Sequence, residues 1–149
     1  MRRPLEGIRV LDLTIWQQGT YASAVLADLG ADVIKVEERR SGDPGRHFDI
    51  SPALGLSAYF QAHNRGKRSL ALDLKHPRGR EALLAVAKNA DVFLTNFRAA
   101  AIERLGLGYD ALEAANPAII YVLASGLGAS GEDADLGAFD ILAQARGGL

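Results

Sequence analysis

Apolar residues in this chain fall into two alternating kinds of run: short β-prone runs, and longer stretches with apolar positions every three or four residues. IRVLDL at 8–13 is the first short run and predicts a buried strand. Residues 21–29 carry Ala and Leu at helical spacing, and Gly30 follows where a helix can end in a left-handed residue. VIKVE at 33–37 is the next strand-like run. Strand, helix and strand so close together predict a βαβ unit with parallel strands and a right-handed crossover. Residues 39–55 carry Gly42, Pro44, Gly45 and Pro52 among charges and predict a long loop, with a short helical turn over 57–61. SLALDL at 69–74 then predicts a strand, and Pro77 opens a helix whose apolar face is Leu83, Leu84, Val86 and Ala87. DVFLT at 91–95 is another strand-like run, followed by short helices over 99–105 and 109–115, the second stopped by Asn116 and Pro117. IIYVLA at 119–124 is the most β-prone run of all. A loop with Gly126, Gly128 and Gly131 comes next, and helical spacing resumes over 140–145.

Alternation of this kind implies an α/β fold: an open, mostly parallel, doubly wound (Rossmann-like) sheet with helices on both faces. The 149 residues make one domain, 1–149. Ligands of such sheets bind beyond the carboxyl ends of the strands. Four such ends are visible, at 14–19, 37–40, 96–98 and 125–128.

Composition then removes whole classes of function. Seventeen basic residues against eighteen acidic ones leave a net charge of −1, without the basic excess of a nucleic-acid or membrane-surface binder. The absence of cysteine removes disulfides, thiolate zinc sites and cysteine nucleophiles. No apolar run is long enough to span a bilayer, and MRRPLEG at the start lacks the apolar core of a secretory signal. A soluble cytoplasmic domain is expected.

Single motifs exclude more than they identify. Glu37 ends the second strand, where an acid could bind a ribose hydroxyl, but the first turn holds one glycine, Gly19, and the bulky Trp16 in place of G-x-G-x-x-G. No phosphate-binding G-x-x-x-x-G-K-[ST] occurs, and GASGE around Ser130 lacks the last glycine of a hydrolase nucleophile elbow. His47, His63 and His76 show no ligand spacing and read as exposed or capping residues, so no metal site is expected.

The ordered set of blocks is more specific. LEGIRVLDLT at 5–14, LADLGADVIKVE at 26–37, SGD at 41–43 and NRGKRSLALDLK at 64–75 resemble the opening of the class III CoA-transferases, the CaiB/BaiF family. DVFLTNFR at 91–98, LGLGY at 105–109, Asn116-Pro117, SGLG at 125–128 and FDILAQA at 139–145 continue the resemblance in order and with family spacing. That family includes formyl-CoA transferase, carnitine CoA-transferase and α-methylacyl-CoA racemases. Its members are longer, with a second, smaller domain and subunits interlocked as a homodimer. The resemblance therefore implies the N-terminal part of the large domain, with the family's main catalytic aspartate beyond Leu149, and a chain that alone is inactive. It implies an acyl-CoA:carboxylate CoA-transferase with acyl-CoA and a carboxylic acid as substrates and no permanently bound cofactor. The alternatives are a racemase or epimerase of the same family, or a non-catalytic CoA-binding fragment.

The same resemblance places CoA contacts at Trp16, Arg39, Leu72, Lys75, Asn96, Phe97, Arg104 and Leu105, with Gln17 and Asp140 supporting catalysis. Lys75 and Arg104 suit phosphates, and Leu72, Phe97 and Leu105 suit the pantetheine arm. On residue type alone, the three apolar side chains read as ordinary core and the two cations as solvated surface. Asp12 reads as structural, and Asp140 equally as the N-cap of its helix. Two departures stand out: Glu38 replaces a common family arginine, leaving Arg39 or Arg40 to substitute, and Glu132 stands where proline is common.

Overall fold

The computed structural model describes residues 2–149. Five strands, β1 (Arg9–Leu13), β2 (Asp32–Glu38), β3 (Arg68–Leu72), β4 (Val92–Thr95) and β5 (Ile120–Leu123), pair in the order β3-β2-β1-β4-β5. Every pairing is parallel. The chain winds outward from β1 through β2 to β3, then returns to the other side of β1 for β4 and β5. The direction of winding reverses between β1 and β4. This is the expected doubly wound architecture.

Register assigns the faces. Val10, Val33 and Val92 point to one side, where Ala27 of α1 (Gln18–Asp28) and Ala31 pack on them. Leu11, Ile34 and Phe93 point to the other, under Leu83 and Ala87 of α3 (Pro77–Ala87), Ile102 of α4 (Ala99–Arg104) and Leu112 of α5 (Tyr109–Ala115). Cover on the α1 side is incomplete. Ile120 of β5 pairs with Val92 on that face and is 60% exposed.

The helices form close to where the pattern puts them, with shifts at their ends. α1 starts at Gln18, three residues before the run of apolar spacing, and Gly30 follows it with φ +106°. Close packing accounts for the early start: a Cβ on Gly19 would lie 2.4 Å from Thr14 Cγ2, so only glycine lets the helix begin against the end of β1. The predicted turn at 57–61 is a full helix, α2 (Ala58–Asn64), capped by Ser57 Oγ accepting from Phe60 N. Within the predicted loop 39–55 lies a short 3₁₀ helix, Pro44–His47, capped by Asp43. His76 caps α3 by accepting from Arg78 N, the role its lack of ligand spacing left for it. α6 (Asp140–Gly147) buries none of its residues. No helix among the described residues is long and apolar enough to cross a membrane.

Candidate functional site

A cavity of about 990 Å³ opens at the carboxyl ends of β1, β4 and β5. Its walls are the turn after β1 (Ile15 to Gln18), the turn after β4 (Asn96 to Ala99), the segment after β5 and the start of α6. This is the crevice between β1 and β4 where the winding reverses, the position at which open α/β sheets bind ligands.

The turn after β1 is held by side chains, because no secondary structure satisfies its backbone. Thr14 N donates to Asp12 Oδ1 (3.0 Å), and Thr14 O accepts from Lys35 Nζ (2.8 Å). Asn96 binds Ile15 on both sides, accepting from its N (2.9 Å) and donating to its O (2.8 Å). Trp16 N donates to Asp43 Oδ1 at 3.4 Å, and Trp16 O accepts from Thr20 Oγ1. Trp16 itself has φ +62°, a left-handed conformation that costs a bulky residue energy and persists only where its surroundings enforce it. Its ring meets Phe48 and Phe139 edge-on, with centroids 6.4 and 6.3 Å away.

Beneath the turn lie four buried charges. Lys35 and Asp43 pair at 2.8 Å, and Lys67 and Asp12 at 2.9 Å, each side chain no more than 2% exposed. Lys67 also donates to Thr20 O and Asn64 Oδ1, and Asp12 accepts from Ser23 Oγ at 2.6 Å. Burial pushes the Lys67 ammonium down from its ordinary pKa, opposed by the Asp12 carboxylate. Asp12 is structural, as the sequence suggests.

Of the residues expected at the site, Trp16, Gln17, Asn96, Phe97 and Asp140 all line the cavity. Asn96 spends its amide on Ile15. Gln17 is exposed at the start of α1, where its side chain makes no cap. The N-cap reading of Asp140 is corrected: Phe139 holds that position, and Asp140 is the first helical residue, accepting from Gln144 Nε2. A one-residue difference in the helix start decides this, and sequence does not fix helix ends so finely.

Leu72 and Leu105 lie outside the cavity, packed with Phe97 against the core on the α3–α5 side. Lys75 and Arg104 are exposed and also outside it. Arg39 lines a smaller hollow at the end of β2, 3.9 Å from Asp73. In the wall of that hollow Glu37 is consumed by structure, accepting from Arg46 twice at 2.7 Å, from Ser69 Oγ and from Asp43 N.

Residue-by-residue reading did not single out Arg98, Tyr21 or Tyr59, which also line the cavity. Among the described residues Arg98 is the one cation in the lining. A Cβ at Gly137 would lie 2.2 Å from Arg98 Nη2, so the absent side chain there makes room for the guanidinium. The signal was available: a cation three residues after a strand end, in a fold that binds ligands there.

Comparison with known proteins agrees with this architecture. Succinate–glutarate CoA-transferase of Agrobacterium fabrum is 40% identical over 152 residues, covering 98% of this chain and 38% of its own. Succinyl-CoA:mesaconate CoA-transferase of Haloarcula hispanica is 44% identical, covering 97% of this chain and 38% of its own. Among solved structures, Rv3272 of M. tuberculosis superposes with a TM-score of 0.91 at 40% identity, covering 98% of this chain and 41% of that one. A CaiB/BaiF family protein from Brucella suis also gives 0.91, at 38% identity over 99% of this chain and 40% of its own. The chain thus spans about two fifths of the length of these relatives. Residues 5–149 match the family described as CoA-transferase family III, and the chain belongs to that family.

Proposed function

We propose that this chain forms the acyl-CoA-binding part of an acyl-CoA:carboxylate CoA-transferase, as the N-terminal portion of the large domain. The observation that carries the reading is the 990 Å³ cleft at the β1–β4 reversal, walled by Trp16, Gln17, Phe97 and Arg98. A long thioester has an apolar arm to bury and phosphates to neutralise. Trp16 and Phe97 supply apolar wall, and Arg98 supplies a guanidinium whose fork suits phosphate or carboxylate oxygens. Arg98 and Arg104 stand at opposite ends of α4, roughly 9 Å apart along its axis at 1.5 Å per residue. Arg104, Lys75 and Arg39 are assigned to the phosphates and adenine outside the cleft, and Leu72 and Leu105 to an apolar surface along the way. Gln17 and Asp140 are assigned to the thioester end, where an amide can donate to a developing oxyanion.

The chemistry belongs to the family's aspartate, which we place beyond Leu149. Its carboxylate attacks the thioester carbonyl and CoA leaves as thiolate, giving a mixed anhydride. The thiolate attacks the aspartyl carbonyl of that anhydride, releasing the first acid and leaving an enzyme thioester. The acceptor carboxylate attacks this thioester to form a second anhydride and free the thiolate again. The thiolate then attacks the acceptor's acyl carbonyl and restores the aspartate. On this reading the cytoplasmic enzyme is an interlocked homodimer with no resident cofactor, and residues 1–149 alone bind CoA without turnover.

The test is exchange of isotope from labelled carboxylic acids into acyl-CoA, run with the protein at the length of its relatives. Label in the thioester pool is the expected result. Absence of exchange across short mono- and dicarboxylates, together with no CoA binding in calorimetry, overturns the reading.

A further inference from the structure

All six polar backbone atoms of residues 14–16 are engaged by side chains, and two of the six bonds depend on the buried pair Lys35–Asp43. Lys35 sits in β2, an interior strand covered on both faces, where an ammonium has no route to water. Its Nζ reaches Thr14 O on one side and Asp43 Oδ2 on the other, each at 2.8 Å. The other oxygen of Asp43 accepts from Trp16 N and Gly45 N. One carboxylate thus joins three separate segments: β2 through Lys35, the turn after β1 through Trp16, and the 3₁₀ helix through Gly45.

A buried ion pair is weak evidence for stability, because desolvating both charges offsets their attraction, and well-packed apolar residues often serve as well. What such a pair provides is direction. Here the direction is spent on a tryptophan in a left-handed conformation. Strain of that kind survives where the surroundings over-determine it, and it collects at functional sites. We infer that Lys35 and Asp43 are positioning residues: together they lock the turn after β1 so that Trp16 stays in its left-handed conformation as a wall of the cleft. Neither residue touches the cavity, and both act through Trp16. The inference rests on the cleft being the acyl-CoA site only for its consequence on binding; the locking of Trp16 stands apart from it.

Trp16 is the chain's single tryptophan, so its fluorescence reports the turn without interference from another indole. Two charge-free variants isolate the bond that matters. Lys35→Met with Asp43→Asn removes both charges and keeps an Oδ1 acceptor for Trp16 N. Lys35→Met with Asp43→Leu removes the acceptor as well. The Asn variant loses the Lys35 bond to Thr14 O and should show a small rise in acrylamide quenching with near-native emission; fully native quenching there removes Lys35 from the lock. The Leu variant, folded by far-UV circular dichroism, should show a red-shifted maximum and at least twofold greater quenching. If the Leu variant does not fold, Lys35→Met with Asp43→Ala removes the same acceptor without the bulk of leucine, and the same red shift and rise in quenching are expected. Native Trp16 emission and quenching in the folded Leu variant, or in the Asp43→Ala variant where that stands in for it, overturns the inference. CoA titration separates the two readings. A loosened Trp16 should weaken CoA about tenfold or more, whereas a loosened Trp16 with unchanged CoA affinity supports the lock and overturns the assignment of Trp16 to the acyl-CoA site.

Discussion

Asn96 and Ile15, eighty-one residues apart, form a closed two-bond pair: the Asn96 amide accepts from Ile15 N at 2.9 Å and donates to Ile15 O at 2.8 Å. The pair ties the end of β4 to the turn after β1, across the line where the sheet reverses its winding. An asparagine is the apt residue, because it offers a donor and an acceptor side by side, as a peptide group does.

Asn96→Ala should therefore lower stability by about 1–3 kcal/mol, since two backbone groups lose partners in a partly buried place. Asn96→Asp should cost more at neutral pH, because a carboxylate oxygen then faces Ile15 O with no proton between them. Urea unfolding at pH 7 orders the three proteins, and equal stability of Asn96→Asp and wild type rules the pair out as a structural tie.

Sequence pattern carried the fold here because each strand is short, apolar and set off by a glycine, proline or acid. Within the β1–α1–β2 unit, α1 stops at Gly30, as the pattern requires. The cleft was legible through position, since Trp16, Gln17, Asn96 and Phe97 all follow strand ends. The lock beneath it was not, although Lys35 carried a signal. A lysine within an interior strand must be paired, whichever face it points to. Its partner Asp43 lies in a loop whose path no periodicity reveals, so the pair emerges only in three dimensions. Lys75 and Arg104 show the opposite limit, for residue type says nothing about which cavity an exposed cation overlooks.

Glu37 makes stability depend on acid. Burial works to raise its carboxyl pKa, but bonds from Arg46, Ser69 and the Asp43 amide outweigh it and bring it down from 4.5 to about 2. The unfolded chain therefore binds a proton that the folded chain does not between these values. The stabilisation is fully present above about pH 4.5 and is lost as pH falls toward 2. It amounts to on the order of 3 kcal/mol, at 1.36 kcal/mol per unit. Glu37→Gln should flatten this part of the profile, with the loss visible at pH 7 and vanishing near pH 2. An unchanged slope between pH 4.5 and 2.5 in the variant refutes it.

Arg98→Ala should raise the CoA dissociation constant about tenfold or more, as loss of a charged hydrogen bond of about 1.5–3 kcal/mol implies. Arg104→Ala should do the same if the phosphates run along α4. Arg98→Lys should recover part of the affinity, since a point charge replaces a fork. Calorimetry at two salt concentrations measures all three. Native affinity in Arg98→Ala removes the cleft's cation from the binding site.

Transfer without proton abstraction is the last expectation, and it turns on Phe139. The family resemblance implies that its racemases carry a histidine just before the acid that matches Asp140 and use it to shuttle the α-proton. Such a shuttle needs a group that titrates near neutral pH. Phe139 can neither accept nor give a proton, and it stands 68% exposed against the edge of Trp16. No histidine lines the cleft among the described residues: His76 caps α3, His63 bonds Tyr59 O and His47 bonds Ser41 O. A carboxylate nucleophile has no need of one, because it attacks a carbonyl and leaves the α-carbon untouched. Incubating the protein, at the length of its relatives, with a chiral 2-methylacyl-CoA in deuterated water distinguishes the two chemistries. CoA exchange with the α-hydrogen retained is the expected outcome. Deuterium entering the α-carbon as fast as CoA exchanges would show that a base reaches that proton from elsewhere in the fold, and the racemase reading would then replace the transferase one.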